Sequence, residues 1–293
     1  MPRNVPDIAV IGAGVAGLAC AERLAGHGLQ VHVFDKGRQP GGRVASRPRL
    51  GVVLEHGAPG EAALVDDLAR RVPVSCGTLV TRLERTVGGH WRLHAGDTVL
   101  PGSYGGVVVA APAPQAAALL APAPALAALA ARAVMRPVLT ALVVLPGPLG
   151  RNFATIRFSS GPLAEARRQE SRRPVAPEGW ILHATPEFSR DNVDADPSVI
   201  GRYLWDRFRS ALDLSATEPL YLRGHRWRFG RTQTPLGRAC LHDDDLALGA
   251  CGDWCLGDSI DDALASGRAL ASRIVGVPEH PQHQAFAVRE ESA

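Results

Sequence analysis

Lysine is almost absent from this chain. Lys36 is the only one, and every other basic side chain that is not histidine is arginine. Together with heavy alanine, glycine and proline usage, that bias reads as a codon-biased genome rather than a surface selected to grip phosphate. The net charge of +3 is small and spread along the chain, which disfavours a nucleic-acid partner. The cysteines, Cys20, Cys76, Cys240, Cys251 and Cys255, are odd in number and scattered, so they read as free thiols rather than a disulfide framework. Cys251 and Cys255 fit neither a CxxC redox pair nor a common zinc spacing. There is no HExxH, no Ser–His–Asp order and no metal-ligand cluster, so hydrolase and metal chemistry rank low. No apolar run is long enough to span a bilayer, and the first residues show neither a basic region nor a cleavage site. The expectation is a soluble, cytoplasmic protein.

What is present is enough to build a sizeable core: 293 residues, 46% of them hydrophobic, allowing one large or two modest domains. Ile8 to Ile11 is a short apolar run of the kind a buried parallel strand shows. A glycine turn follows, then helical periodicity through Leu18, Ala21 and Leu24, ended by Gly26 and Gly28. Val31 to Phe34 is a second strand closed by Asp35, which completes a βαβ unit. Further along, Glu61 to Arg71 reads as a helix, and Leu79 to Leu83 and His90 to Leu93 as strands joined at Gly88-Gly89. Val107 to Ala111 reads as a buried strand, and Pro112 to Ala131 as two short helices. Val138 to Leu145, Trp180 to Ala184 and Leu220 to Trp227 read as strands of a different sheet. The polar stretch from Ser159 to Glu178 reads as a loop or surface helix with solvated arginines. Pro197 to Leu212 reads as a helix, Leu246 to Ala250 as a last buried strand, and Ile260 to Val275 as a helix.

Gly12-Ala13-Gly14-Val15-Ala16-Gly17 is a GxGxxG loop between that first strand and helix. The first glycine permits the tight turn, the second lets backbone approach a pyrophosphate, and the third lets helix and strand pack closely. Free N–H groups at the helix start offer partial positive charge to phosphate. Asp35 is placed to accept hydrogen bonds from ribose hydroxyls and to repel a 2′-phosphate. The loop does not separate NAD from FAD, but two further signals favour FAD. Gly41-Gly42-Arg43 lies shortly after Asp35, where glycine amides and an arginine fork can face a phosphate. Cys251-Gly252-Asp253-Trp254 ends the last buried strand, where an aspartate can bond a ribityl chain. The helix beyond it starts with a capping box, Ser259 with Asp262, and its N-terminus is expected to point at the flavin.

On Ile8 to Arg43, Val107 to Gln115 and Cys251 to Gly267, the chain resembles the flavin-containing amine oxidase superfamily. Trp180 to Thr185, His225 to Trp227 and Cys251 to Cys255 are similar to motifs of its renalase-type bacterial members. The resemblance implies an α/β fold: a discontinuous Rossmann-like FAD-binding domain, 1–112 and 225–277, with an inserted antiparallel-sheet α+β substrate domain, 113–224. Residues 278–293 are expected to be a disordered tail. It also implies non-covalent FAD contacted by Gly12, Gly14, Val15, Ala16, Gly17, Asp35, Lys36, Gly41, Gly42, Arg43, Val80, Ala111, Gly252, Asp253 and Ile260. The substrate pocket would draw on Trp180, His183, His225, Arg226 and Trp227, with no metal. The implied reaction is oxidation of an isomeric dihydronicotinamide dinucleotide by hydride transfer to flavin N5, with dioxygen as acceptor. Another oxidase or dehydrogenase of the superfamily, or a flavin protein with little turnover, are the alternatives. The chain departs from the family after Arg43, where a long segment is cut down to Leu54-Glu55-His56-Gly57-Ala58 before an early helix. It also lacks a lysine for the redox end of the flavin, because Lys36 sits beside Asp35.

Overall fold

The computed structural model describes residues 8–58, 60–150, 153–169, 177–214 and 217–277. The first part of the chain runs β1 (Ile8–Ile11), α1 (Val15–Gly26), β2 (Val31–Asp35), β3 (Ser46–Arg49), β4 (Val52–Glu55), α2 (Ala62–Ala69) and β5 (Val74–Cys76). Then come β6 (Arg82–Arg85), β7 (Trp91–Ala95), β8 (Thr98–Val99), β9 (Gly106–Val109), α3 (Ala113–Leu119) and α4 (Pro124–Ala130). The middle holds β10 (Val134–Leu145), β11 (Thr155–Arg157), β12 (Leu163–Gln169), β13 (Glu178–Ala184), α5 (Pro186–Asp191), α6 (Pro197–Ala211) and β14 (Tyr221–Thr234). The last elements are β15 (Leu241–Asp243), β16 (Leu248–Ala250) and α7 (Ile260–Val275). No helix among the described residues is long and apolar enough to cross a membrane.

One sheet has the order β15-β16-β9-β1-β2-β5, and every pairing except β15–β16 is parallel. Its strands are apolar on both sides because both sides are covered. Ala9, Ile11, Val107 and Val109 face a core shared with Trp91, Trp254, α3 and α4. Ile8, Val10 and Val108 face α1 and α7. Those two helices touch closely at Gly267, where a Cβ would come within 2.1 Å of the Ala16 carbonyl oxygen.

The other large sheet is antiparallel, in the order β11-β12-β13-β10-β14. Strand alternation gives it two unlike faces. Leu139, Ala141, Val143, Trp180 and Leu182 pack against Leu204, Trp205 and Phe208 of α6. Leu142, Val144 and Ile181 pack against Val52 and Leu54 of β4. The β3–β4 hairpin thus occupies the shortened segment after Arg43 and covers part of the second face.

Several expectations need correction. The stretch from Ser159 to Glu178 contains strand β12, not a helix or loop. A bulge between Leu163 and Glu165 breaks its alternation, and Glu165 bonds Arg167, so it reads as a polar surface segment. Arg172 and Arg173 lie outside the described residues. The antiparallel sheet runs from Val134 to Thr234, while α3 and α4 pack on the parallel-sheet core. The strand expected over Leu79 to Leu83 starts at Arg82. The tail expected at 278–293 is outside the described residues.

Candidate functional site

Each glycine of the first loop has its own physical reason. Gly12 has φ +111°, and a Cβ there would sit 2.6 Å from the Ala110 carbonyl oxygen. A Cβ on Gly17 would come within 2.0 Å of the Gly12 carbonyl oxygen. Gly14 differs: a Cβ on it meets nothing within 4 Å. The fold has no need of glycine there, whereas a ligand pressed against the backbone does. Gly14 is also the N-cap of α1, and the first turn, Val15 to Gly17, has neither a side-chain cap nor an acidic residue. Its N–H groups are left for an anion. The residues present therefore fit a dinucleotide pyrophosphate.

The neighbouring elements close around this opening. Asp35 Oδ2 accepts from Ala13 N at 2.6 Å and Oδ1 from Gly37 N at 2.6 Å, so the carboxylate is anchored with lone pairs to spare. Lys36 beside it is exposed. Val80 is buried, and its own N–H and C=O make no hydrogen bond among the described residues, although Thr78 N bonds Asp35 O at 2.8 Å. That leaves Val80 backbone able to read an adenine edge. Gly41 N donates to Ala13 O at 2.8 Å, which docks the Gly41-Gly42-Arg43 turn on the first loop.

Arg43 and Asp253 were expected to bind phosphate and ribityl separately, and the structure pairs them. Arg43 Nη1 donates to Asp253 Oδ2 at 2.8 Å, and Nη2 donates to Oδ1. Thr232 Oγ1 adds a bond to Asp253 Oδ2 at 3.1 Å. Asp253 is buried with its carboxylate engaged, while the Arg43 side chain keeps 31% of its surface exposed. Gly252 N bonds Ser266 Oγ at 3.0 Å, and Ala111 O accepts from Trp254 Nε1 at 3.0 Å. The N-terminus of α7 is closed from within: the Ser259–Asp262 capping box is formed, and Asp261 and Asp262 occupy the first turn. Its positive end is thereby largely answered by the chain's own carboxylates, and the Ile260 side chain packs on the α1 core.

The substrate candidates split between the two faces of the antiparallel sheet. Trp180 faces α6, fully buried, its ring tilted against Phe208 at 5.3 Å and its Nε1 donating to Glu178 Oε1 at 2.6 Å. Arg226 Nη1 bonds Val193 O at 2.8 Å. These two are structural and leave the site. His183, His225 and Trp227 share the opposite face, with His183 and His225 both in register with Thr140.

His56, from the shortened segment, completes this cluster. It is buried, its ring lies 4.7 Å from His225 and 5.5 Å from Trp227, and Trp227 Nε1 bonds its carbonyl at 3.1 Å. The segment leads back to the cradle through Ala58 N to Arg43 O at 2.9 Å. Burial chiefly, with nearby arginines, pushes His183 down to about 3 and His225 down to about 4, and lowers His56 too. The arginines are Arg167 and Arg231 for His183, and Arg47 and Arg223 for His56 and His225. All three imidazoles are neutral at pH 7.

The sequence reading missed Thr232, Arg47, Arg223 and Thr140, whose buried Oγ1 has no hydrogen-bond partner among the described residues. His56 was read as a residue of the shortened segment, either a plain loop residue or one projecting toward the flavin. Period-two alternation was the available signal: Trp180 and His183 differ by an odd step and cannot share a strand face, and Arg226 lies between His225 and Trp227.

Comparison with known proteins places the first part of this architecture. Residues 10–69 match the family described as NAD(P)-binding Rossmann-like domain. A 50-residue stretch is 50% identical to a 4,4'-diapophytoene desaturase of Staphylococcus haemolyticus, covering 17% of this chain and 10% of that protein. A 71-residue stretch is 39% identical to protoporphyrinogen oxidase 2 of Arabidopsis thaliana, covering 22% of this chain and 14% of that protein. The sequence likeness thus spans a small share of the length of these relatives. In three dimensions the chain is similar to cyclohexylamine oxidase of Brevibacterium oxydans, with TM-score 0.71, 13% identity and coverage of 93% of this chain and 99% of that one. The fold is therefore mixed α/β, a Rossmann-like parallel region joined to antiparallel sheets, as in that oxidase structure.

Proposed function

We propose that this protein is an FAD-dependent oxidoreductase of the amine oxidase and protoporphyrinogen oxidase group. FAD is held non-covalently, and the substrate is an isomeric dihydronicotinamide dinucleotide. The observation that carries the cofactor reading is Gly14, a helix N-cap facing open space where the glycine loop meets the Gly41–Arg43 turn. The names of the similar proteins, a desaturase and oxidases, support redox chemistry at such a cradle.

Bound FAD would supply a two-electron acceptor that dioxygen reoxidises with release of hydrogen peroxide. The chain's own part is binding and orientation. The α1 N-terminus and Arg43 hold the pyrophosphate, Asp35 the ribose and Val80 the adenine edge. Oxidation of a dihydronicotinamide ring removes hydride and restores aromaticity, so it needs no side-chain base. That suits a site whose only lysine lies beside Asp35 and whose histidines are locked in a buried cluster. Orientation of the ring is then the main contribution of the protein.

Anaerobic mixing tests the reading. Dihydronicotinamide isomers should rapidly bleach the oxidised-flavin band at about 450 nm. Bleaching only by amines or a polyene would move the substrate to another branch of the group. A yellow protein that no organic donor bleaches would make it a flavin carrier, and a colourless protein that takes up no FAD would end the proposal.

A further inference from the structure

Many arginines among the described residues are spent on acids. Arg71 bonds Glu22 and Asp67, Arg209 bonds Asp206 and Glu218, Arg228 bonds Asp194, and Arg273 bonds Asp244. Arg47, Arg49 and Arg223 are among those that are not. Among the described residues none of the three has a carboxylate within ion-pair distance, and Arg223 is exposed.

Their placement is not scattered. Tyr221, Arg223, His225 and Trp227 alternate along one face of β14, in register with Val144, Leu142, Thr140 and Val138 of β10. Arg47 and Arg49 lie on β3, whose partner β4 packs on that same face through Val52 and Leu54. Arg49 stands over the Tyr221 ring at 5.7 Å. Arg223 precedes His225 by two positions on the same face of β14, and Arg47 is in register with Leu54, two positions before His56, so the two arginines approach the imidazole cluster from two different strands. Glu165 is in register with His183 on this side of the sheet, and it is already bonded to Arg167 at 2.8 Å. Guanidinium groups with no carboxylate partner, set beside neutral rings, form a fork for an anion and an unfavourable place for an ammonium ion.

We propose that Arg47 and Arg223 are specificity-determining residues that bind a phosphate or carboxylate of the substrate and exclude amine substrates. This rests on the oxidoreductase reading and narrows its substrate class to anions. The β3–β4 hairpin becomes the selective element, because it brings Arg47 to the face that β14 supplies.

The test is calorimetric titration of the protein supplied with FAD, using NAD+ as phosphate probe, isophthalate as carboxylate probe and putrescine as cation probe. Cofactor uptake is read beforehand from the visible spectrum, and its failure counts against the oxidoreductase reading alone. NAD+ binding, isophthalate binding or both is expected, with loss of about tenfold or more in Arg223→Gln and Arg47→Gln. NAD+ alone marks a phosphate site and isophthalate alone a carboxylate site. Both variants should keep the wild-type melting temperature and flavin spectrum. Binding of neither anion, anion binding unchanged in both variants, or tighter binding of putrescine would overturn the proposal.

Discussion

The cofactor cradle and the histidine face are built by opposite means. The cradle is backbone: glycines, a bare helix end and amides anchored by Asp35, drawn from loops at the ends of parallel strands. The histidine face is side chain: alternate residues of antiparallel strands, roofed by a hairpin. A backbone site tolerates almost no added atom, while a side-chain site can change identity without losing its frame. The contrast shows where mutations should destroy the fold, where they should strip only the cofactor, and where they should merely retune.

The sharpest break lies within the glycine loop. Gly17→Val should yield no soluble folded protein, judged by expression yield and circular dichroism, because its Cβ has nowhere to go. Gly14→Val should fold normally and emerge colourless, because a Cβ there meets no described atom within 4 Å and would enter the space proposed for the cofactor. Retention of yellow pigment in a folded Gly14→Val protein would remove the basis for the cradle.

Next in size is the join between the regions. Arg43→Ala leaves buried Asp253 without its counter-ion and should cost about 3 kcal/mol by chemical denaturation. Arg43→Ala with Asp253→Ala should cost less than the two single changes added together.

The histidine face should show itself through pH. His183 and His225 hold folded-state values of about 3 and about 4, below the ordinary imidazole value. The unfolded chain therefore takes up protons first as pH falls. Stability conferred by their neutral state is complete above about pH 6.5 and drains away as pH falls, to about pH 4 for His225 and about pH 3 for His183. Melting temperature followed across that window should fall, and His225→Gln should flatten the slope. The smallest effect is expected at Thr140→Val, which removes an unpartnered buried hydroxyl. The change should be neutral or stabilising by up to about 1 kcal/mol in denaturant titration.

How legible each region was follows from this difference. The strand and helix of the first loop, the glycine pair before Arg43, and the capping box at Ser259 are local signals, and the structure places them where the spacing puts them. The face of the antiparallel sheet depends on register, on a bulge in β12 and on a hairpin that covers it, none of which a run of residues announces. Trp180 and Arg226 looked like site residues because the family resemblance carries whole motifs on those strands, and alternation sends these two to the helix side. Asp253 looked like a ligand contact because nothing in the sequence says that Arg43 is its partner.

That partnership has a consequence for synthesis. The first βαβ unit leaves the ribosome early, yet its sheet neighbour β16, the helix α7 that seals α1, and the aspartate that steadies Arg43 all emerge more than two hundred residues later. The antiparallel sheet, complete by Thr234, can form while the glycine loop still waits. Capture of pigment should therefore be among the last events of biogenesis, and nascent chains stalled before Asp253 should stay colourless.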